Sequence, residues 1–170
     1  MTVMQTKATA LLESASEAVE RAHMRYRTNA ASEHRLLQSL GTADLGILME
    51  SSTWMTADEG DVLVNQGDAV DWVAFITTGS AREEVADPEN GAYRAVVNFL
   101  SAGDDIGLLS LMDRAPHQSS VIAMRRTQAL RVPIDVVERY LAVHPEWYRS
   151  IAEVAVSRFR ASSLWLQALV

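Results

Sequence analysis

Between residues 52 and 133 turn signals recur roughly every 8–12 residues, and this rhythm restricts the fold more than any other feature of the chain. The signals are Glu59-Gly60-Asp61, Gly67-Asp68, Gly79-Ser80, Asp87-Pro88-Glu89-Asn90-Gly91 and Ala102-Gly103-Asp104. The runs between them are short and β-type, which points to an antiparallel sandwich or barrel. In AYRAVVNFL, strict alternation places Tyr93, Ala95, Val97 and Phe99 on one face, so residues 88–91 read as a hairpin tip. The continuous apolar run WVAFI reads as a strand buried on both faces.

The flanks are helical. Leu12, Ala15, Val19, Ala22 and Tyr26 recur at spacings of three and four over 5–28. A second pattern, Leu36, Leu37 and Leu40, stops at Gly41. Thr42 is the expected N-cap of a third helix carrying Leu45, Leu48 and Met49. After Pro133 a short helix covers 135–141 and ends near His144-Pro145. A last helix runs from about 146 to 170 with two adjacent stripes. One passes through Ile151, Val154, Arg158, Ala161 and Trp165, the other through Ala155, Phe159, Ser162, Leu166 and Leu169. So wide an apolar surface must be buried on something. The expected class is α+β, mainly β, divided into a helical extension (1–30), a β-roll (31–145) and a C-terminal helix (146–170). Pattern alone leaves the role of residues 1–30 open.

Composition removes several functions. With 170 residues, 48% hydrophobic and 22% charged, the chain has the makeup of one ordinary globular domain. No apolar run approaches the ~18 residues of a membrane span. The N-terminus carries Glu13, Glu17 and Glu20 among alanines and serines and lacks a basic start followed by an apolar core, so no secretory signal and a cytoplasmic location are expected. There is no cysteine, which excludes disulfides and thiolate chemistry, and His23, His34, His117 and His144 lack metal-ligand spacing. The net charge of -7 makes the chain a poor binder of nucleic acid by itself. Arg125-Arg126 and Arg158/Arg160 read as solvated or locally paired. Asp104 and Asp105 read as turn formers rather than a catalytic pair, and no phosphate-binding or nucleophile motif occurs, so no enzyme is expected.

The series Gly60-Asp61-Val62-Leu63-Val64-Asn65-Gln66-Gly67-Asp68, then Phe75-Ile76, Gly79-Ser80, Gly103-Asp104, Ile106-Gly107 and Val121-x-Ala123, resembles the cyclic-nucleotide-binding-domain fold of Crp/Fnr transcription regulators. The resemblance starts near Leu36 and covers about four fifths of the chain. It implies a β jelly roll between N-terminal helices and a long C-terminal dimerisation helix. It also implies a phosphate-binding cassette at Gly107, Leu108, Leu109 and Ser110, continued by His117, Gln118, Ser119 and Ser120.

Two cassette positions depart from the family pattern. Leu108 stands where the family has the glutamate that holds the ribose hydroxyl, and His117 where it has the arginine that meets the phosphate. Hydrogen bonds to charged partners contribute about 1.5–3 kcal/mol each, so losing both weakens binding by roughly 10²–10⁴-fold. Ordinary cAMP recognition is therefore not expected, no resident cofactor is expected, and the identity of any other small effector stays open. Leu108, Leu109, Leu111 and Met112 are expected to pack as core rather than line a ligand pocket. His117 is expected to be a solvated loop residue, and Ser119 and Ser120 to be ordinary strand residues.

The resemblance further implies a homodimer through Ile151, Val154, Ala155, Arg158, Phe159, Ser162, Trp165, Leu166 and Leu169. In the family the chain continues past this helix into a DNA-binding domain. The expectation is a sensor and dimerisation domain that meets DNA only through that further domain and does not meet a membrane. The alternative is a stand-alone module acting by protein–protein interaction.

Overall fold

The computed structural model describes residues 34–87 and 94–168, and side chains within this range except those of Arg35, Thr42 and 161–168. The N-terminal helix expected over 5–28 and the hairpin tip expected at 88–91 lie outside the described residues, as does Leu169.

His34 caps the single-turn helix α1 (Arg35–Gln38), its Nδ1 accepting from the Leu36 N–H at 3.2 Å. Helix α2 (Thr42–Glu50) follows at once. Its N-cap is Gly41, whose carbonyl accepts from Leu45 N at 2.9 Å, so Thr42 is the first helical residue and not the cap expected of it. Eight strands come next, interrupted once. They are β1 (Thr53–Ala57), β2 (Val62–Val64), β3 (Trp72–Thr78), β4 (Ser80–Ala86), β5 (Arg94–Ser101), β6 (Asp105–Ile106), then helix α3 (Leu108–Asp113), then β7 (Ser120–Ala123) and β8 (Thr127–Pro133). Helices α4 (Ile134–Val143) and α5 (Glu146–Ala168) close the described chain.

The strands form two antiparallel four-stranded sheets, ordered β1-β8-β3-β6 and β2-β7-β4-β5. This is the mainly-β jelly roll that the turn rhythm predicts. The first sheet is sandwiched, with helices on one face and the second sheet on the other. Accordingly β3 alternates between two cores. Val73 and Phe75 join Leu36, Leu48, Leu130, Val137 and Trp147 on the helical side, whereas Ala74 and Ile76 join Val64, Leu100, Ile106 and Val121 inside the roll. That double burial is why WVAFI carries no polar alternation.

β5 departs from its expected pattern. Its pairing with β4 shifts between Glu83 and Glu84, leaving Val97 as an extra residue. A bulge of this kind breaks the period of two. Only Leu100 of the strand is buried, and Phe99 is 56% exposed, so the stripe read through Ala95, Val97 and Phe99 faces solvent rather than a core.

Gly79 is the single residue between β3 and β4, where the chain passes from one sheet to the other. It has φ +90°, and a Cβ there would lie 2.5 Å from the carbonyl oxygen of Arg126 and 2.5 Å from Thr127 Cα. Thr127 Oγ1 clasps the same corner, accepting from Ser80 N at 3.1 Å and lying 3.0 Å from Ser80 O, which it can donate to. Both obstacles at Gly79 include backbone atoms, which no rotamer change removes. Gly79→Ala is expected to destabilise the fold by about 3 kcal/mol, from the left-handed backbone and the overlap together. Urea unfolding of the variant checks this, and a loss below ~1 kcal/mol would contradict the described corner.

At the end of β8, α4 packs on α2 through Tyr140, whose hydroxyl donates to Asp44 O at 2.6 Å. Trp147, fully buried, donates from Nε1 to Ser39 Oγ at 2.8 Å and joins the start of α5 to α1. Among the described residues no helix is long and apolar enough to cross a membrane.

Candidate functional site

The segment from β6 to β7 has the local form of a ligand-holding cassette. Asp104 builds the turn before it, Oδ2 accepting from Ser101 N at 2.7 Å. Gly107, at φ 87°, turns the chain from β6 into α3, and Arg114, at φ 54°, ends the helix. Residues 115–117 then return to β7. A side chain at Gly107 would meet His117 Cε1 at 3.0 Å and Trp72 O at 3.2 Å, so the helix can start there only because the residue is glycine.

The cassette residues singled out in the sequence do not share one pocket. Leu108 is 0% exposed and, with Leu111, belongs to the core between α3 and the helices, as expected of it. It offers nothing to a ligand. Leu109 packs partly buried against that core. Ser110 lines a recess with Arg114, Ala115, Pro116, Ile134 and Glu138. His117 lines a different one with Leu63, Val64, Asp68, Asp71 and Trp72. Ser120 lies in a third with Asn65, Gln66, Ala86 and Arg94. Its hydroxyl accepts from Gln66 N at 3.0 Å, so it ties β7 to the turn after β2 and is more than an ordinary strand residue. Gln118 is exposed and Ser119 half-buried.

His117 corrects the expectation of a solvated loop residue. It is only 6% exposed, and its backbone pairs on both sides, donating to Asp68 O at 2.9 Å and accepting from Gly67 N at 2.8 Å. Its ring lies 6.1 Å from the Trp72 ring. Burial pushes its pKa below the usual histidine value, outweighing the opposite pull of Asp68, Asp71 and Glu83. The imidazole is therefore neutral near pH 7, and the charges acting on it are carboxylates. That is the reverse of what an anionic phosphate requires.

A second cluster went unread in the sequence. Asp105, expected as a turn former, is 1% exposed on β6. Its Oδ2 lies 3.2 Å from Arg158 Nη2 on α5 and 3.9 Å from His34 Nε2. Arg158 also donates to Asp105 O at 3.2 Å. Since His34 Nδ1 accepts from Leu36 N, Nε2 is the ring nitrogen that faces the carboxylate. Burial alone would raise the Asp105 pKa, but His34, Arg158 and the Leu108 N–H hold it below the ordinary value. The signal for this cluster was an arginine inside the apolar stripe of α5.

Two of the interface positions expected on α5 contact their own chain. Arg158 turns inward to Asp105, and Ile151 is buried in the core of its own chain. Val154 and Ala155 are half-buried, while Phe159 is 73% exposed beside exposed Val156 and Tyr148. The side chains of Ser162, Trp165, Leu166 and Leu169 lie outside those described. Among the described residues no three His, Asp or Glu side chains converge to hold a metal.

Comparison with known proteins matches residues 54–144, more than half of the chain, to the cyclic nucleotide-binding domain. Among curated proteins, lysophospholipase NTE1 of Phaeosphaeria nodorum is 28% identical over 108 residues, covering 64% of this chain and 7% of that protein. The lysophospholipase nte1 of Neosartorya fischeri is 23% identical over 107 residues, 63% of this chain and again 7% of the relative. The chain thus spans a small fraction of these relatives. Among solved structures, the sensor domain of the transcriptional regulator DNR from Pseudomonas aeruginosa superposes with a TM-score of 0.68 at 16% identity, covering 79% of this chain and 89% of that one. A cyclic nucleotide-binding domain from Methylobacillus flagellatus gives 0.68 at 20% identity, covering 88% and 85%. The catabolite activator protein of Thermus thermophilus gives 0.65 at 19%, covering 79% and 62%. At these identities the structures establish a shared fold.

Proposed function

The chain belongs to the cyclic nucleotide-binding domain family, and on that premise we propose that it is the sensor domain of a Crp/Fnr-like transcription regulator whose cassette has lost ordinary cAMP recognition. The observation that carries this reading is the chemistry at the two cassette positions. Leu108 is sealed in the core, and His117 is a buried neutral imidazole acted on by Asp68, Asp71 and Glu83. A cyclic phosphate would find no guanidinium there and would face carboxylates.

The domain acts by population shift. An effector at the cassette repositions α3, and α5, which touches α3 and, through Arg158 and Asp105, the β-roll, carries the change to a DNA-binding domain elsewhere in the regulator. Tyr148, Val156 and Phe159 expose an apolar strip along α5 that supports a homodimer seam. The seam turns on these outward residues and on the interface positions further along the helix, not on Ile151 or Arg158. The domain carries no catalysis of its own, works in the cytoplasm, and does not grip DNA unaided.

Calorimetric titration with cAMP tests the cassette reading. No saturable heat is expected at about 100 μM nucleotide, given a loss of roughly 10²–10⁴-fold. A micromolar Kd would overturn it. Light scattering is expected to return the mass of a dimer, and a monomer mass at high concentration would end the seam proposal.

A further inference from the structure

The recess at His117 has the chemistry of a receptor for a cation. It measures about 280 Å³ and lies between the β2–β3 connection and the loop before β7. Its polar side chains are Asp68, Asp71 and His117, with Leu63, Val64, Ala69 and Trp72 as apolar wall. His117 is more than nine-tenths buried, and neither ring nitrogen has a hydrogen-bond partner among the described residues. The nitrogens are not sealed off, since Asp105 Oδ1 is the buried unpartnered side-chain atom among the described residues, so an occupant of the recess can reach them.

The surrounding charge is negative. Asp68 is met by Asn65, whose backbone N–H and side-chain amide donate to it at 3.1 and 3.2 Å, and Glu83 by the Asn98 amide at 2.8 Å, all neutral donors. Asp71 has Arg131 Nη2 at 3.9 Å, and that guanidinium also stacks over Trp72 at 4.6 Å. Three carboxylates therefore act against one guanidinium. A neutral imidazole presents one lone pair and accepts one N–H.

We infer that this recess binds a small organic cation with N–H donors, a free protonated amine or guanidine, which donates to the His117 ring and is balanced by Asp68 and Asp71. The inference rests on the reading that His117 does not serve an anion. It adds a consequence for the cassette. The ring's Cε1 would lie 3.0 Å from a Cβ at Gly107, so an occupant at His117 adjoins the residue that starts α3. Acidification acts against binding. Once His117 is protonated, below the usual histidine value, the ring no longer accepts and places a positive charge beside the occupant, among the same neighbours Asp68, Asp71, Glu83 and Arg131.

The test is an imidazole ¹H–¹⁵N titration of the whole chain with agmatine, the His117 signals being assigned through His117→Gln. The expected result is a saturable shift of the His117 nitrogens at pH 7.5. Tetramethylammonium, a cation without N–H, and methyl phosphate are expected to bind at least about tenfold more weakly. Asp68→Asn sits at the exposed rim, keeps an acceptor for the turn, and is expected to weaken agmatine by about tenfold without changing the urea midpoint. His117→Gln is expected to weaken it at least as much, read by the shifts of neighbouring backbone amides. Absence of a shift at ~50 mM agmatine overturns the inference, as does wild-type affinity in Asp68→Asn or methyl phosphate binding as tightly as agmatine. Binding of acetyl-Gly-Arg-Gly-amide without agmatine also overturns it, by assigning the recess to a partner's side chain. The cAMP titration is read separately: micromolar cAMP removes the cassette reading, whereas agmatine failing with cAMP silent removes this inference alone.

Discussion

Replacing Arg158 with methionine is expected to lower the unfolding free energy by about 3 kcal/mol and to release α5 from the β-roll. Asp105 would keep its buried charge and lose the guanidinium 3.2 Å away, with His34 left as the nearest compensation. Its Oδ1 already has no hydrogen-bond partner among the described residues, so the site has little reserve. The figure is the low end for breaking a buried pair, because Arg158 itself is partly exposed. Replacing both partners, as Asp105→Leu with Arg158→Met, is expected to restore part of the loss, since no unpaired charge remains. Urea unfolding of the singles and the double decides this. A double variant as unstable as the sum of the singles would show that the pair's charge is not what matters. Hydrogen exchange along α5 reads the release directly.

The same pair sets an acid limit. The folded pKa of Asp105 lies below its ordinary 3.8, so its contribution is complete above that value and is lost as pH falls through the lower folded value. His117 acts in the same direction at higher pH. Its folded pKa is depressed below 6.5, so stability is full above 6.5 and declines on acidification towards the folded value. His117→Gln is expected to flatten the profile near pH 6 and leave the fall below pH 4 in place.

Trp147→Ala is the second large effect, with an expected cost of about 4 kcal/mol. Trp147 is fully buried, stacks at 5.9 Å on Tyr140 and donates to Ser39 Oγ, so it joins α1, α4 and the start of α5. Truncation leaves a cavity at this junction and an unpaired hydroxyl acceptor. Thermal melts are expected to show a midpoint lower by roughly 10 °C for a domain of this size. Trp147→Phe keeps much of the packing and loses the hydrogen bond, with an expected cost of about 1–2 kcal/mol. If alanine costs no more than phenylalanine, the junction does not depend on the ring's volume.

Much of the roll was legible because turns are local. Gly79 and Gly107 announce positive φ whatever lies elsewhere, and the run WVAFI announces burial on both faces. β5 was misread because a bulge is a property of a strand pair. Nothing in AYRAVVNFL says that Val97 has no partner across from it. The cassette's outline was legible for the same local reason, whereas its chemistry was only half so. Leu108 could be read as core, but His117 looked like a loop residue until Trp72, Gly107 and the Gly67-Asp68 turn were packed around it.

By itself the sequence determined the strand rhythm, the corners, the helix after Pro133 and the presence of leucine and histidine at the two cassette positions, 108 and 117, where the family has glutamate and arginine. These follow from backbone sterics and side-chain identity at single positions. Only the tertiary structure decided that Asp105 is a buried charge and not a turn former, that Arg158 points inward from an apolar stripe, and that His117 is buried. Burial and charge pairing depend on which residues from distant segments share a volume, here His34, Asp105 and Arg158, and that is settled only when the helices close over the first sheet.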